Sequence, residues 1–180
     1  MVEPLREVEK VVVIELRRLT LADLTEIEPI ERGAYPTPWS RSMFAGELSK
    51  PTSVALGAFD ADTGRLIGYL IVSRYVGAWH IMNVAVRSSY RRRGIATQLL
   101  DELFAVTAGD ARRGYTLEVR VSNGVAIALY EKHGFRATGV RRGYYTDNRE
   151  DALIMWKDPP TSRGTAARGR DGTQTTEHGD

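Results

Sequence analysis

The segment from Trp79 to Thr107 restricts the possible folds more than any other part of the chain. An apolar run, WHIMNVAV, ends at Val86 and leads through RSSYRRRG into IATQLLDELFAVT. In the second run Ala96, Leu99, Leu100, Leu103, Phe104 and Thr107 recur at helical spacing, which predicts a helix with one face on a sheet. A strand that turns through glycine into a helix leaves several main-chain N–H groups unpaired at the positive end of the helix dipole. Gly94 permits close backbone approach, Ala96 is nearly as small, and Thr97 adds a hydroxyl in the first turn, so the loop suits a diphosphate. Neither G-x-G-x-x-G nor G-x-x-x-x-G-K-[ST] occurs in the chain. A solvated basic turn is the competing reading of these residues.

Period-two and helical runs alternate along the rest of the sequence. VVVIELR predicts a first strand at about 11–17, and Thr20 with Asp23 three residues later predicts a capped helix over 21–34. Ser40, after Pro38 and Trp39, caps a second short helix that ends before Pro51. SVALGAF and LIGYLIVSRY read as strands joined by DADTGR, whose composition suits a hairpin turn. Its Asp-x-Asp lacks the remaining ligands of a calcium loop and reads as a solvated turn. Tyr115 to Val121 predicts another strand, then a helix capped by Ser122 or Asn123 and stopped by Gly134, then two strand-like runs around a loop at 146–150. The order β-α-α-β-β-β-α-β-α-β-β describes one mixed α/β domain over 11–158, without internal repeats. Residues 1–10 read as a charged arm and 159–180 as a disordered polar tail, since nothing large and apolar follows Pro160 to offset ordering entropy.

Composition narrows the function classes. The 25 Lys and Arg against 23 Asp and Glu leave a net charge of +2, so no polycationic surface points to direct nucleic-acid binding. There is no cysteine, which excludes a thiol nucleophile, a thiolate metal site and disulfides. MVEPLREVEK is no signal peptide and no run approaches the ~18 apolar residues of a membrane span, so a soluble, cytoplasmic protein is expected. His80, His133 and His178 show no metal-ligand spacing, and no metal is expected.

In TLEVRVSN, Leu117, Val119 and Val121 share one strand face, and Thr116, Glu118 and Arg120 the other. Under helices on both faces an ionised Glu118 is costly to bury; on an exposed face it would pair with Arg120. Tyr130, in NGVAIALYEKHGF, either fills the core or turns its hydroxyl to the end of the sheet. Together with Pro38-Trp39-Ser40, Asn83-Val84-Ala85-Val86, YRRRGIATQLL and RRGYYTDNREDALIM, these segments resemble the GNAT superfamily of acetyl-coenzyme A dependent N-acetyltransferases over roughly 14–156. The resemblance is closer still to the bacterial ribosomal-protein-alanine N-acetyltransferase family.

That resemblance implies the GNAT acyl-CoA N-acyltransferase fold, a mixed and mostly antiparallel sheet of about seven strands with helices on both faces. By matching position, Val84, Ala85 and Val86 would lie on a splayed fourth strand that pairs with the pantetheine arm and offers an N–H to the thioester oxygen. Arg92, Arg93, Gly94, Ile95, Ala96 and Thr97 would wrap the pyrophosphate, and Asn123 would touch acetyl-CoA as well as cap its helix. Ala96 stands where many members have glycine, too small a change to close the cradle. Glu118 matches the family's proton acceptor and Tyr130 its proton donor. The implied acceptor is the α-amino group of a protein N-terminus, namely the N-terminal alanine of a small-subunit ribosomal protein. It would enter between Tyr35, Trp39 and Asn83 on one side and Tyr144 and Tyr145 on the other, although those aromatics can equally be packing. Glu31, Asp147 and Glu150 are candidates to steer a basic peptide. The rival readings are an N-terminal acetyltransferase of broader specificity, an acetyltransferase of a small-molecule amine, and, more remotely, a non-enzymatic RNA-binding module.

Overall fold

The computed structural model describes residues 11–160, so the charged arm and the tail beyond Pro160 lie outside the described residues. Strands β1 (Ile14–Arg18), β2 (Ser53–Asp60), β3 (Arg65–Tyr75), β4 (Ala78–Val86), β5 (Tyr115–Arg120), β6 (Arg136–Arg141) and β7 (Ala152–Lys157) form one sheet. Their order is β1-β2-β3-β4-β5-β7-β6, and every neighbouring pair is antiparallel except β4 and β5. Helices α1 (Leu24–Ala34), α2 (Arg41–Leu48), α3 (Ile95–Thr107) and α4 (Gly124–Lys132) connect them. Seven mixed, mostly antiparallel strands with helices on both faces are the architecture that the family resemblance implies.

Local chemistry accounts for the connections. Thr20 donates its main-chain N–H to Asp23 at 2.8 Å, and Arg17 grips the same carboxylate at 2.9 Å, fixing the approach to α1. Ser40 accepts from the N–H of Met43 at 3.3 Å and starts α2. Asp60 accepts the N–H groups of Asp62 and Thr63 in the β2–β3 turn, and Gly64 takes the positive φ of 69° that closes it. That carboxylate also takes the Tyr90 hydroxyl at 3.1 Å, so the Asp-x-Asp serves the turn and the loop before α3.

Two cores sandwich half of the sheet. Leu99, Leu100 and Leu103 of α3 pack with Ile67, Leu70, Trp79, Ile81, Leu117 and Met155 on one face, where α4 contributes Tyr130. On the other face Ile27, Ile30 and Phe44 of α1 and α2 cover Ala55, Tyr69, Ile71 and Ala85, with Phe44 edge-on to Tyr69 at 5.7 Å. The second core stops at β4. Glu118 and Arg120 therefore do not lie under helices, and one face of β5 and β7 is left open as a groove.

A bulge in β4 decides how that groove meets the rest. Ile71 pairs with Asn83 and Val72 with Ile81, so Met82 has no partner on β3. The extra residue inverts the alternation of side chains. Trp79 and Ile81 consequently enter the α3 core, while Ala85 enters the α1–α2 core and Asn83 turns to Glu31. Beyond the bulge β4 also leaves β5: their parallel pairing runs only from Trp79↔Tyr115 to Ile81↔Leu117.

Candidate active site

The loop at the start of α3 is an open array of donors. Arg92 has φ 63° and Gly94 φ 74°, and alternating left-handed residues turn successive N–H groups to one side. Gln98 is the first to bond back, to Gly94, and no main-chain bond is made by the N–H groups from Arg92 to Thr97 among the described residues. A Cβ added at Gly94 would meet nothing within 4 Å, so the concavity is empty protein surface. The arginines are partly architectural: Arg91 donates to the Val86 carbonyl at 3.1 Å, and Arg93 lies over Tyr90 at 5.7 Å.

The divergence of β4 from β5 exposes a strand edge inside the protein. Arg87 N–H bonds to Ile67 of β3, so by ladder alternation Val86 and Val84 direct their main-chain groups away from β3, toward the split. Two side chains take the carbonyl groups there: the Tyr35 hydroxyl donates to Val84 at 2.5 Å and Arg91 to Val86. The edge presents N–H donors as its free groups. Of the predicted trio Val84, Ala85 and Val86, the outer two face the split and Ala85 is core.

On the far side of the split lies the groove, about 580 Å³, with His80, Met82, Thr116, Glu118, Arg141, Tyr144, Ile154 and Trp156 in its walls. Glu118 Oε2 is 2.9 Å from His80 Nε2, and Oε1 is 3.4 Å from the Arg141 guanidinium. The His80 hydrogen bond, followed by the charges of His80 and Arg141, holds the Glu118 carboxyl below its ordinary range against the opposing pull of burial. No Glu118–Arg120 pair forms. Arg120 instead donates from Nη2 to both oxygens of Asp147 at 2.8 and 2.9 Å, from Nη1 to Glu150 at 3.1 Å, and stacks on Tyr145 at 3.8 Å.

Tyr130 sits on the opposite face, 8% exposed and edge-on to Phe135 at 5.7 Å. Burial first, and the neighbouring Tyr145 second, push its hydroxyl up to about 12. Tyr35, whose hydroxyl donates to Val84 at the split, is likewise raised, by burial and then by Tyr130. Asn123 caps α4 by accepting from Ala126 N–H at 3.1 Å.

Several sequence expectations need correcting. Glu31 cannot steer a peptide from the surface, because it is 1% exposed and bonded to Tyr69, Asn83 and the Trp39 main chain. Asp147 and Glu150 are committed to Arg120, and Ser122 N–H donates to Glu150 at 2.9 Å. Asn83 is 7% exposed and its amide serves Glu31. Trp39 packs on Phe44 at 5.3 Å, which leaves Tyr144 as the predicted aromatic that lines the groove. His80 was not legible as a site residue; its one signal is a polar residue two places from Met82 in an apolar strand, and its face is set by the bulge.

A mixed sheet opened between two parallel strands, with an array of free N–H groups at the head of the next helix, defines an acetyltransferase of the GNAT class. Residues 18–135 match the acetyltransferase (GNAT) family, and the chain belongs to it. Among its relatives, the [ribosomal protein bS18]-alanine N-acetyltransferase of Escherichia coli strain K12 is 36% identical over 139 residues, 76% of this chain and 92% of that protein. A putative enzyme of the same name from Bacillus subtilis strain 168 is 34% identical over 141 residues, 78% of this chain and 93% of that protein. The crystal structure of the ribosomal-protein-S18-alanine N-acetyltransferase from Escherichia coli superposes with a TM-score of 0.76 at 31% identity, covering 86% of this chain and 98% of that one.

Proposed function

We propose that the protein acetylates the α-amino group of a protein N-terminus, with the N-terminal alanine of a small-subunit ribosomal protein as acceptor and acetyl-coenzyme A as donor. The observation that carries this reading is the split between β4 and β5, which joins a cradle of free N–H groups to a groove floored by a carboxylate. Acetyl-coenzyme A fits the residues present. Its pyrophosphate suits the N–H groups from Arg92 to Thr97, and the carbonyls of its pantetheine arm suit the free donors on the Val84 and Val86 edge. Bound there, it supplies an activated acetyl thioester.

Every other part of the chemistry falls to side chains and main chain. An N-terminal ammonium has a pKa of about 7.7 to 8.0 and must lose a proton before attack. Glu118, ionised at neutral pH, accepts it on the groove side, directly or through water. A fixed N–H on the β4 edge receives the negative charge that develops on the acetyl oxygen. Tyr130 keeps its proton through neutral pH because burial raises it, and returns that proton to the departing thiolate. Glu118 and Tyr130 thus act from opposite faces of the sheet. Asn123, at the start of α4, borders the same end of the sheet.

The test is a thermal shift with acetyl-coenzyme A followed by mass spectrometry of a ribosomal peptide bearing a free N-terminal alanine. Stabilisation and a single acetyl group on the α-amine are expected. Stabilisation with acetylation of lysine side chains or polyamines, and none of the α-amine, would assign a different acceptor.

A further inference from the structure

Glu31 is the most deeply buried acid of the described residues, at 1% exposure, and it forms no ion pair among them. Its carboxyl group accepts from three separate elements. Trp39 N–H in the α1–α2 loop donates at 2.7 Å, the Asn83 amide on β4 at 3.1 Å, and the Tyr69 hydroxyl on β3 closes the set. An apolar side chain of similar size commonly serves stability as well in such a place. What a carboxyl group adds is directional attachment of three elements to one point.

The attached points have a common location. Asn83 directly follows the bulge at Met82, and the next residue, Val84, carries the carbonyl that Tyr35 holds at 2.5 Å. Glu31 and Tyr35 bracket the end of α1, so the loop from Tyr35 to Trp39 is tied at both ends to the part of β4 that has left β5.

We propose that Glu31 is a positioning residue for the acceptor. By holding the Trp39 main chain and the Asn83 amide in one frame, it sets the spacing between the α1–α2 loop and the β4 edge. This rests on the reading that an N-terminal peptide passes beside that loop to Glu118. The cradle at Arg92 to Thr97 is built by other residues and does not depend on the hub.

Glu31→Met tests this because it keeps the size but offers no oxygen acceptor, so the Trp39 N–H, the one of the three donors that cannot reorient, loses its partner on Oε1. The Michaelis constant for the alanine peptide should rise about tenfold, with kcat and the acetyl-coenzyme A dissociation constant changing less than about threefold. Hydrogen exchange at Trp39 should speed up by about tenfold or more, while the β4 amides keep their protection. Tyr69→Phe, which removes the hydroxyl bond to Glu31 and the longer one to Asn83 at 3.4 Å and leaves the Trp39 and Asn83 bonds to Glu31, should give the same pattern more weakly and decides the matter where Glu31→Met does not fold. An unchanged peptide constant together with unchanged loop exchange overturns the proposal, as does an equal loss of acetyl-coenzyme A affinity. Should the unsubstituted protein not acetylate the peptide, the acceptor reading fails, and the exchange rates still decide on Glu31.

Discussion

Replacing Glu118 by glutamine should separate catalysis from stability by a wide margin. The side chain keeps its volume, and His80 can present a lone pair to the new amide, so no buried donor is stranded. Arg141 is 55% exposed and regains water, which discounts the lost ion pair. Stability should therefore change by less than about 1 kcal/mol, or a few degrees in Tm. The rate loses a general base, worth about 100- to 10,000-fold, or ~2.7–5.5 kcal/mol of barrier. The absence of cysteine makes the assay clean, since a thiol reagent then reads only the coenzyme A released. The defect should be largest below the ammonium pKa of about 7.7 to 8.0 and shrink toward pH 9.5, where the amine is already neutral. A variant retaining more than about a third of kcat/KM at pH 7, or a defect that does not depend on pH, would refute the assignment.

Tyr130→Phe should lower turnover at least about tenfold with acetyl-coenzyme A binding preserved. With its hydroxyl pushed up to about 12, the wild-type rate should show no alkaline loss from this group below about pH 10. Glu150 is held near 2 by Ser122 first, with Asn148 and Arg120 assisting, against 4.5 unperturbed. A depressed folded value gives stability that is present above pH 4.5 and disappears as pH falls toward 2, so Glu150→Gln should flatten acid melting in that window. Gly114 has φ 79°, and a Cβ there would lie 2.1 Å from the Lys157 carbonyl, so Gly114→Ala should cost more than about 3 kcal/mol by denaturant melting. A loss within about 1 kcal/mol would mean that β7 ends differently in solution.

Most of the secondary structure was legible because the signals are local. The capped start of α1, Ser40 before α2, the hairpin at 60–65 and Asn123 before α4 are all short-range hydrogen bonds written into adjacent residues. The turn with free N–H groups before α3 was legible for the same reason, since its geometry needs only Gly94 and the residues around it.

The groove around Glu118 was not. Whether Glu118 is covered depends on how far α1 and α2 reach across the sheet, and they stop at β4. Which partners it meets depends on the fold as well: His80 and Arg141 come from strands on either side, while Arg120, two residues away in sequence, is taken by the loop before β7. The bulge at Met82 has no signature in period-two patterning, yet it turns Asn83 inward to Glu31 and opens β4 from β5. Sequence alone determined the elements, their order and the glycine turn that starts α3, because each is decided within a few residues of chain. Tertiary structure decided which acids are free to act, because exposure and ion pairing belong to whatever long-range packing brings beside them.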